Sequence, residues 1–368
     1  MRVLTFQRYR AILLGFFGLG LAGVWGLAVS LRPLDGDLTR VGGYTENDFH
    51  WTKAQPTFAG NLFRITENLE DYDRYYDVVV LGDSFTCDQE GRRFGWQNFF
   101  LKRTGLSMIV FDTRKYWPLQ VIESPGFRRH PPRFFVFESV ERYLYDRAAY
   151  FVDVPLGKAE PVRGKPVLTL RETDSGPIPM ELQKARSCLD SDYVLGYLNA
   201  VMQRWFRLNN QVLKLPLKQG GLFSSRTDRE MLVYFDEVAK NVLTDQNLAK
   251  LRAGMLRLQT LVESNGFTRF LYLIAPDKSS IYAPYLANAG DSTMNLVGNA
   301  SQENRLHLVR TDRILASAIA AGKPDIYLPN DSHWSGTGHR LVADGLVDSL
   351  IASGILEKRG STDEQKNP

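Results

Sequence analysis

The run Val78-Val79-Val80-Leu81, ending on Gly82-Asp83-Ser84, constrains the fold of this chain more than any other stretch. Four successive apolar, mostly β-branched residues leave no polar face for water, so they call for a strand buried on both sides, as in a parallel sheet sandwiched between helices. Segments 106–111, 134–137, 270–275 and 325–328 repeat the pattern. Between them, helices are expected over 96–103, along the face carrying Leu251, Met255, Leu258 and Val262, over 312–321, and along the face carrying Leu341, Val342, Leu346, Leu350 and Ile351. Asn265-Gly266 supplies a C-cap for the second of these. The spacing therefore predicts an α/β fold in β-α-β order, with a mostly parallel sheet.

The amino-terminal segment sets the compartment. Residues 11–31 contain no charge, about the length a helix needs to cross the hydrocarbon core of a bilayer. Arg2, Arg8 and Arg10 precede this run, whereas Arg32 is soon followed by Asp35 and Asp37, a bias that keeps the amino terminus cytoplasmic and sends the rest outside, into a periplasm or its equivalent. A cleaved signal peptide is the alternative, but the apolar run is long for one. The chain then divides into an anchor over 1–31, a Gly- and Pro-rich lead-in over 32–73, a core domain over 74–356 with an insertion at about 145–234, and a polar tail over 357–368.

With 368 residues, 44% of them hydrophobic, the chain can bury a full core. A net charge of +4 without a dense basic stripe argues against nucleic acid as a partner. The two cysteines, Cys87 and Cys188, have neither zinc-knuckle nor redox-motif spacing, though they could pair in an oxidising compartment.

Gly82-Asp83-Ser84 falls at the carboxyl end of the first core strand, where open α/β sheets place their sites. Glycine permits the sharp turn, and the helix that follows presents N–H groups to a developing oxyanion. Asp331-Ser332-His333-Trp334 follows segment 325–328 and precedes the last helix, so it is expected at the same edge. A serine hydroxyl needs a base to become nucleophilic, and an imidazole needs a carboxylate to hold its tautomer. Ser84, His333 and Asp331 supply those three groups. A metal site built from Asp331, His333 and His339 lacks a third carboxylate-rich segment, so neither metal nor cofactor is expected. Glu141-Arg142 reads as an ion pair beneath the site, Lys278 either as a crevice-edge cation or as part of a solvated loop, and Trp96, Trp117 and Trp334 either as stacking faces for sugar rings or as core.

The block Val78-Val79-Val80-Leu81-Gly82-Asp83-Ser84-Phe85 resembles the first block of the SGNH/GDSL hydrolase superfamily. Asp331-Ser332-His333-Trp334 resembles the Asp-x-His-Trp of that superfamily's alginate O-acetyltransferase-like branch, which acetylates exopolysaccharides. The loop at 275–284 and the segment Phe137-Glu138-Ser139-Val140-Glu141-Arg142 are similar to parts of the same branch. The resemblance implies an SGNH-hydrolase-like three-layer α/β/α fold, Ser84 as nucleophile, His333 as general base and Asp331 as its partner. It further implies a polysaccharide acceptor and a membrane-embedded acyl-donor protein of the MBOAT type. Two departures stand out: the serine block precedes Asp-x-His-Trp, as in ordinary GDSL hydrolases, and the superfamily's oxyanion-hole Gly and Asn have no clear counterpart. Thr113, Arg114 and Ser139 are the candidates to join the Ser84 N–H. The expected function is acetyl transfer through an acyl-serine. A carbohydrate acetyl-esterase with the same triad and a non-catalytic polysaccharide-binding scaffold are the alternatives.

Overall fold

The computed structural model describes residues 6–30, 35–58, 60–87, 95–155, 211–238, 243–288 and 294–356, with a few single positions between 198 and 206. Cys188, most of the expected insertion and the polar tail lie outside the described residues. The strands are β1 (Arg64–Ile65), β2 (Val78–Gly82), β3 (Met108–Asp112), β4 (Phe134–Val140), β5 (Val212–Pro216), β6 (Glu230–Tyr234) and β7 (Arg269–Ala275). Besides the amino-terminal helix α1 (Phe6–Ser30), the helices that position the site are α2 (Asp37–Gly42), α3 (Ser84–Cys87), α4 (Trp96–Thr104), α5 (Asp245–Glu263), α6 (Thr311–Ala320) and α7 (Gly336–Ala352).

The central sheet runs β1-β3-β2-β4-β7, with every pairing parallel. β2 lies at its centre and is buried along its whole length, as its unbroken apolar run requires. The pleat sends alternate residues to opposite faces. Val78 and Val80, with Phe134, Val136, Leu271 and Leu273, pack with residues of α4, α6 and α7. Val79 and Leu81, with Phe135, Phe137, Phe270 and Tyr272, pack instead with Leu251, Met255, Leu258 and Val262 of α5. The molecule is thus a mixed α/β structure with helices on both faces of a parallel sheet.

Segment 325–328 departs from its expected role as a sheet strand. Only Tyr327 pairs, in an antiparallel bridge to Trp334, and Leu308 bridges Tyr272 beside β7. Its apolar residues are buried as a strand's would be, but they line a tight loop, because the chain reverses at once to carry residues 330–333. The lead-in over 32–73 contributes edge strand β1 and helix α2. β5 and β6 form a separate antiparallel pair, and Val212 and Leu232 from it pack on Leu38 of α2. Away from this body, the 21 residues Phe6–Gly26 of α1 have a mean hydropathy of 1.4 and no buried share, so this helix is long and apolar enough to cross a membrane.

Candidate active site

β2 delivers Ser84 to the carboxyl edge of the sheet through one tight turn. Gly82 is required there: a Cβ would lie 2.6 Å from the Thr86 side chain and 2.8 Å from Glu138 Oε2, closing the space into which α3 folds back. Asp83 is buried beneath the turn, accepting from the N–H of Val140 at 2.8 Å and that of Phe85 at 3.2 Å, and pairing with Arg147. Burial alone would raise the Asp83 carboxyl, but the Arg147 guanidinium and these N–H donors outweigh it and hold the group below the usual carboxylate range. Glu138, on β4, accepts from the Asp83 N–H at 2.8 Å and the Thr86 hydroxyl at 3.0 Å. Complete burial, and then the neighbouring Asp83 charge, push the Glu138 carboxyl well up. The turn that carries Ser84 is therefore braced from below by one ionised carboxylate and one carboxyl driven toward its neutral form.

His333 arrives on the loop between Tyr327 and Trp334. The bridge between those two residues and the Leu328 N–H bond to the His333 carbonyl at 3.1 Å close the loop, and Ser335 caps α7 immediately after it. Phe85 and Trp334, the residues that follow Ser84 and His333, lock the two segments together. Their rings meet edge to face at 4.8 Å, and the Phe85 ring lies 4.7 Å from the imidazole. The result is a continuous relay: His333 Nε2 is 2.8 Å from Ser84 Oγ, and His333 Nδ1 is 2.6 Å from Asp331 Oδ1. Asp331, fully buried, also accepts from the His333 N–H at 2.9 Å.

The structure thus brings Ser84, His333 and Asp331 into hydrogen-bond reach. The other expected site residues fare differently. Lys278 is not at a crevice edge or in a solvated loop. It is fully buried and donates to the carbonyls of Leu328, Pro329 and Asp331 at 2.8, 3.2 and 3.2 Å, so it clamps the histidine loop from behind. Burial pulls its ammonium down to about 8, against the opposing pull of Glu237 and the Asp331 and Asp37 carboxylates. Of the three tryptophans singled out, Trp334 and Trp96 are core residues and Trp117, in edge contact with Tyr150, is half exposed. Arg142 pairs with Asp277 at 2.6 Å rather than with Glu141, which accepts from the Asp277 N–H. His339 accepts from the Trp96 N–H at 3.1 Å, apart from the relay. Cys87 is a free, buried thiol.

Comparison of the chain with protein-family models, curated proteins and solved structures finds no match.

For an oxyanion, the Ser84 N–H stands in the first turn of α3, where a helix has no internal acceptor to offer. Ser139 is not a partner for it, since its buried hydroxyl donates to the Val140 carbonyl and accepts from Arg147 at 2.9 Å. Arg114 folds back on Asp112 through both its backbone N–H and its guanidinium. The Thr113 N–H is bonded to the Gly82 carbonyl at 2.9 Å, but the Thr113 hydroxyl is buried with no partner among the described residues. Of the three candidates, Thr113 has an unpartnered side-chain hydroxyl among the described residues, but that hydroxyl is buried away from solvent.

One residue at the site carried no sequence signal. Asp37, the first residue of α2, places Oδ2 at 3.7 Å from His333 Nδ1. Its carboxylate accepts from the Ser332 N–H at 2.8 Å and the Ser332 hydroxyl at 2.6 Å, and its own N–H donates to Asp331 Oδ2 at 3.0 Å. Burial, and next the Asp331 charge, raise the Asp37 carboxyl. Asp37, Asp331 and His333 present ligand atoms within 4.8 Å of one another, Asp37 being a second carboxylate that the sequence did not offer for a metal. However, His333 already points its two nitrogens at Ser84 and Asp331, which suits proton transfer rather than ligation.

Proposed function

We propose that this chain is an acyl-transfer enzyme of the cell envelope, in which Ser84 carries the acyl group and the acceptor is a polysaccharide hydroxyl. The observation behind this reading is the unbroken relay from Asp331 through His333 to a serine at the first turn of a helix. In the proposed cycle, Ser84 Oγ attacks the acyl carbonyl carbon as His333 Nε2 takes the hydroxyl proton. Asp331 holds the imidazole in the required tautomer and stabilises the imidazolium. The Ser84 N–H receives the negative charge on the former carbonyl oxygen. Collapse expels the donor's leaving group, which takes the proton from His333, and leaves an acyl ester on Ser84. His333 then removes the proton from an acceptor hydroxyl, whose oxygen attacks the ester, and the proton returns to Ser84 as the bond to it breaks.

In this reading α1 spans the inner membrane with its amino terminus in the cytoplasm and the catalytic body on the outer side, because the arginines precede the span. Acetyl-CoA is not present there, so the donor would be a membrane-embedded protein that passes acyl groups across the bilayer.

The test uses the full chain in detergent with an activated acetyl ester, with and without candidate oligosaccharides. Parent protein is expected to release the alcohol in two phases and to acetylate sugar faster than it releases acetate, whereas Ser84→Ala does neither and is not labelled by a fluorophosphonate. Acetate release without sugar acetylation would point to an esterase. Full activity in Ser84→Ala would end the proposal.

A further inference from the structure

We propose that Asp37 is a second carboxylate of the histidine relay, a positioning residue supplied by the segment that follows the apolar helix. This inference rests on the catalytic reading of Ser84 and His333 and adds a residue to it.

Two contacts distinguish Asp37 from a carboxylate that only ties down a loop. Its backbone N–H holds the Asp331 oxygen that does not face the imidazole, so Asp331 is fixed at both ends, between Asp37 and His333 Nδ1. Its side chain then places a second negative charge at 3.7 Å from the same nitrogen, in a setting where the Asp37 and His333 side chains are 14% and 19% exposed. At so short a separation away from bulk water, a charge acts strongly on the protonation of its neighbour. When Ser84 gives up its proton, the positive charge that forms on His333 faces two carboxylates rather than one.

Burial and the Asp331 charge raise the Asp37 carboxyl, and the His333 imidazole and the Ser332 donors work against them to favour its charged form. Ser332 donates twice to Asp37, and the Tyr234 hydroxyl from β6 also hydrogen-bonds to it. Glu46 gathers the flanking backbone, accepting from the N–H groups of Asp35 and Gly36 at 2.9 Å each and from the Asn330 side chain at 2.8 Å. Gly36 lies so close to Asn330 that a Cβ would come 2.0 Å from its carbonyl oxygen. Among the described residues, the charged and titratable groups around the imidazole include Asp331 on its own loop, Asp37 on α2, Tyr234 on β6 behind Asp37 with Arg142 over its ring, and Lys278 behind the loop with Glu237 acting on it.

The test compares Asp37→Asn, which keeps the shape and removes the charge, with Asp37→Glu, which keeps the charge. The full chain in detergent is assayed for ester turnover and fluorophosphonate labelling across pH, with Ser84→Ala run in parallel. A carboxylate stabilises the imidazolium, so its removal lets His333 lose its proton more readily. Asp37→Asn is expected to lower kcat about tenfold, or 1.4 kcal/mol of barrier, and to move the acid limb of the profile to lower pH, with KM nearly unchanged. Asp37→Glu is expected to keep the parent's acid limb even if its rate falls. An acid limb that stays put in Asp37→Asn, or equal losses in both variants without a shift, would overturn the inference while leaving Ser84 untouched. Activity in Ser84→Ala would instead overturn the catalytic reading itself.

Discussion

Glu138 offers the sharpest test of how the turn carrying Ser84 is held. Its carboxyl is fully buried, and Oε2 alone receives the Asp83 N–H and the Thr86 hydroxyl, while Oε1 has no partner among the described residues. Glu138→Ala would strand both donors in the core, at about 1 to 3 kcal/mol each, before any cavity term of similar size. A loss of about 3 kcal/mol or more is therefore expected. Glu138→Gln keeps an oxygen acceptor in place and removes a group that must otherwise be buried charged or held protonated. The sign of the pH dependence follows from the raised carboxyl. Such a group contributes its full stability below its unfolded value near 4.5, and that contribution is lost as pH rises through the folded value, because the unfolded chain releases the proton first. Glu138→Gln should therefore gain on the parent protein as pH rises from about 4.5 to neutrality and match it below that range. Thermal unfolding followed by near-ultraviolet circular dichroism in detergent, from pH 4 to 8, measures both effects. Trp96, whose indole N–H donates to the Thr86 hydroxyl, adds a local probe. Equal stability of Glu138→Ala and parent, or a Glu138→Gln advantage that grows toward acid pH, would refute this account.

Two further outcomes follow from the loop and the lead-in. Lys278→Met should leave the carbonyls of Leu328, Pro329 and Asp331 without their buried donor, lowering stability by about 3 kcal/mol or more and slowing fluorophosphonate labelling of Ser84; unchanged labelling would show that His333 is held without the clamp. Gly36→Ala sets a methyl against the Asn330 backbone, and because neither side can rotate away, a loss of about 1 to 3 kcal/mol is expected; an unchanged Tm would show that the lead-in moves freely over the loop.

The parallel sheet was legible because its central strands are apolar on both faces, and Gly82-Asp83-Ser84 and Asp331-Ser332-His333-Trp334 sit where such strands and their loops end. What local pattern could not convey was how partners far apart in sequence meet. Asp37 is one acidic residue in a polar stretch, and its place beside His333 depends on the β5–β6 pair pressing α2 against the histidine loop. Lys278 reads either as a crevice-edge cation or as a solvated lysine, since nothing near it in sequence announces that three carbonyls from 328–331 will surround it. Segment 325–328 has a strand's composition, yet burial of apolar side chains does not require a ladder, and its backbone turns too soon to build one. Arg114 and Ser139 lay at strand ends, but their donors had closer acceptors in Asp112 and Val140.

About seven residues separate the last turn of α1 at Ser30 from Asp37, a leash of at most about 25 Å when fully stretched. With α1 set across a bilayer as proposed, Asp37 cannot leave the neighbourhood of the lipid headgroups, and Ser84 stands only an imidazole's width beyond it. On the proposed function the chemistry would then happen where the lipids end, and a polysaccharide acceptor would have to come down to the membrane while a membrane-embedded donor would need only to drift sideways within it.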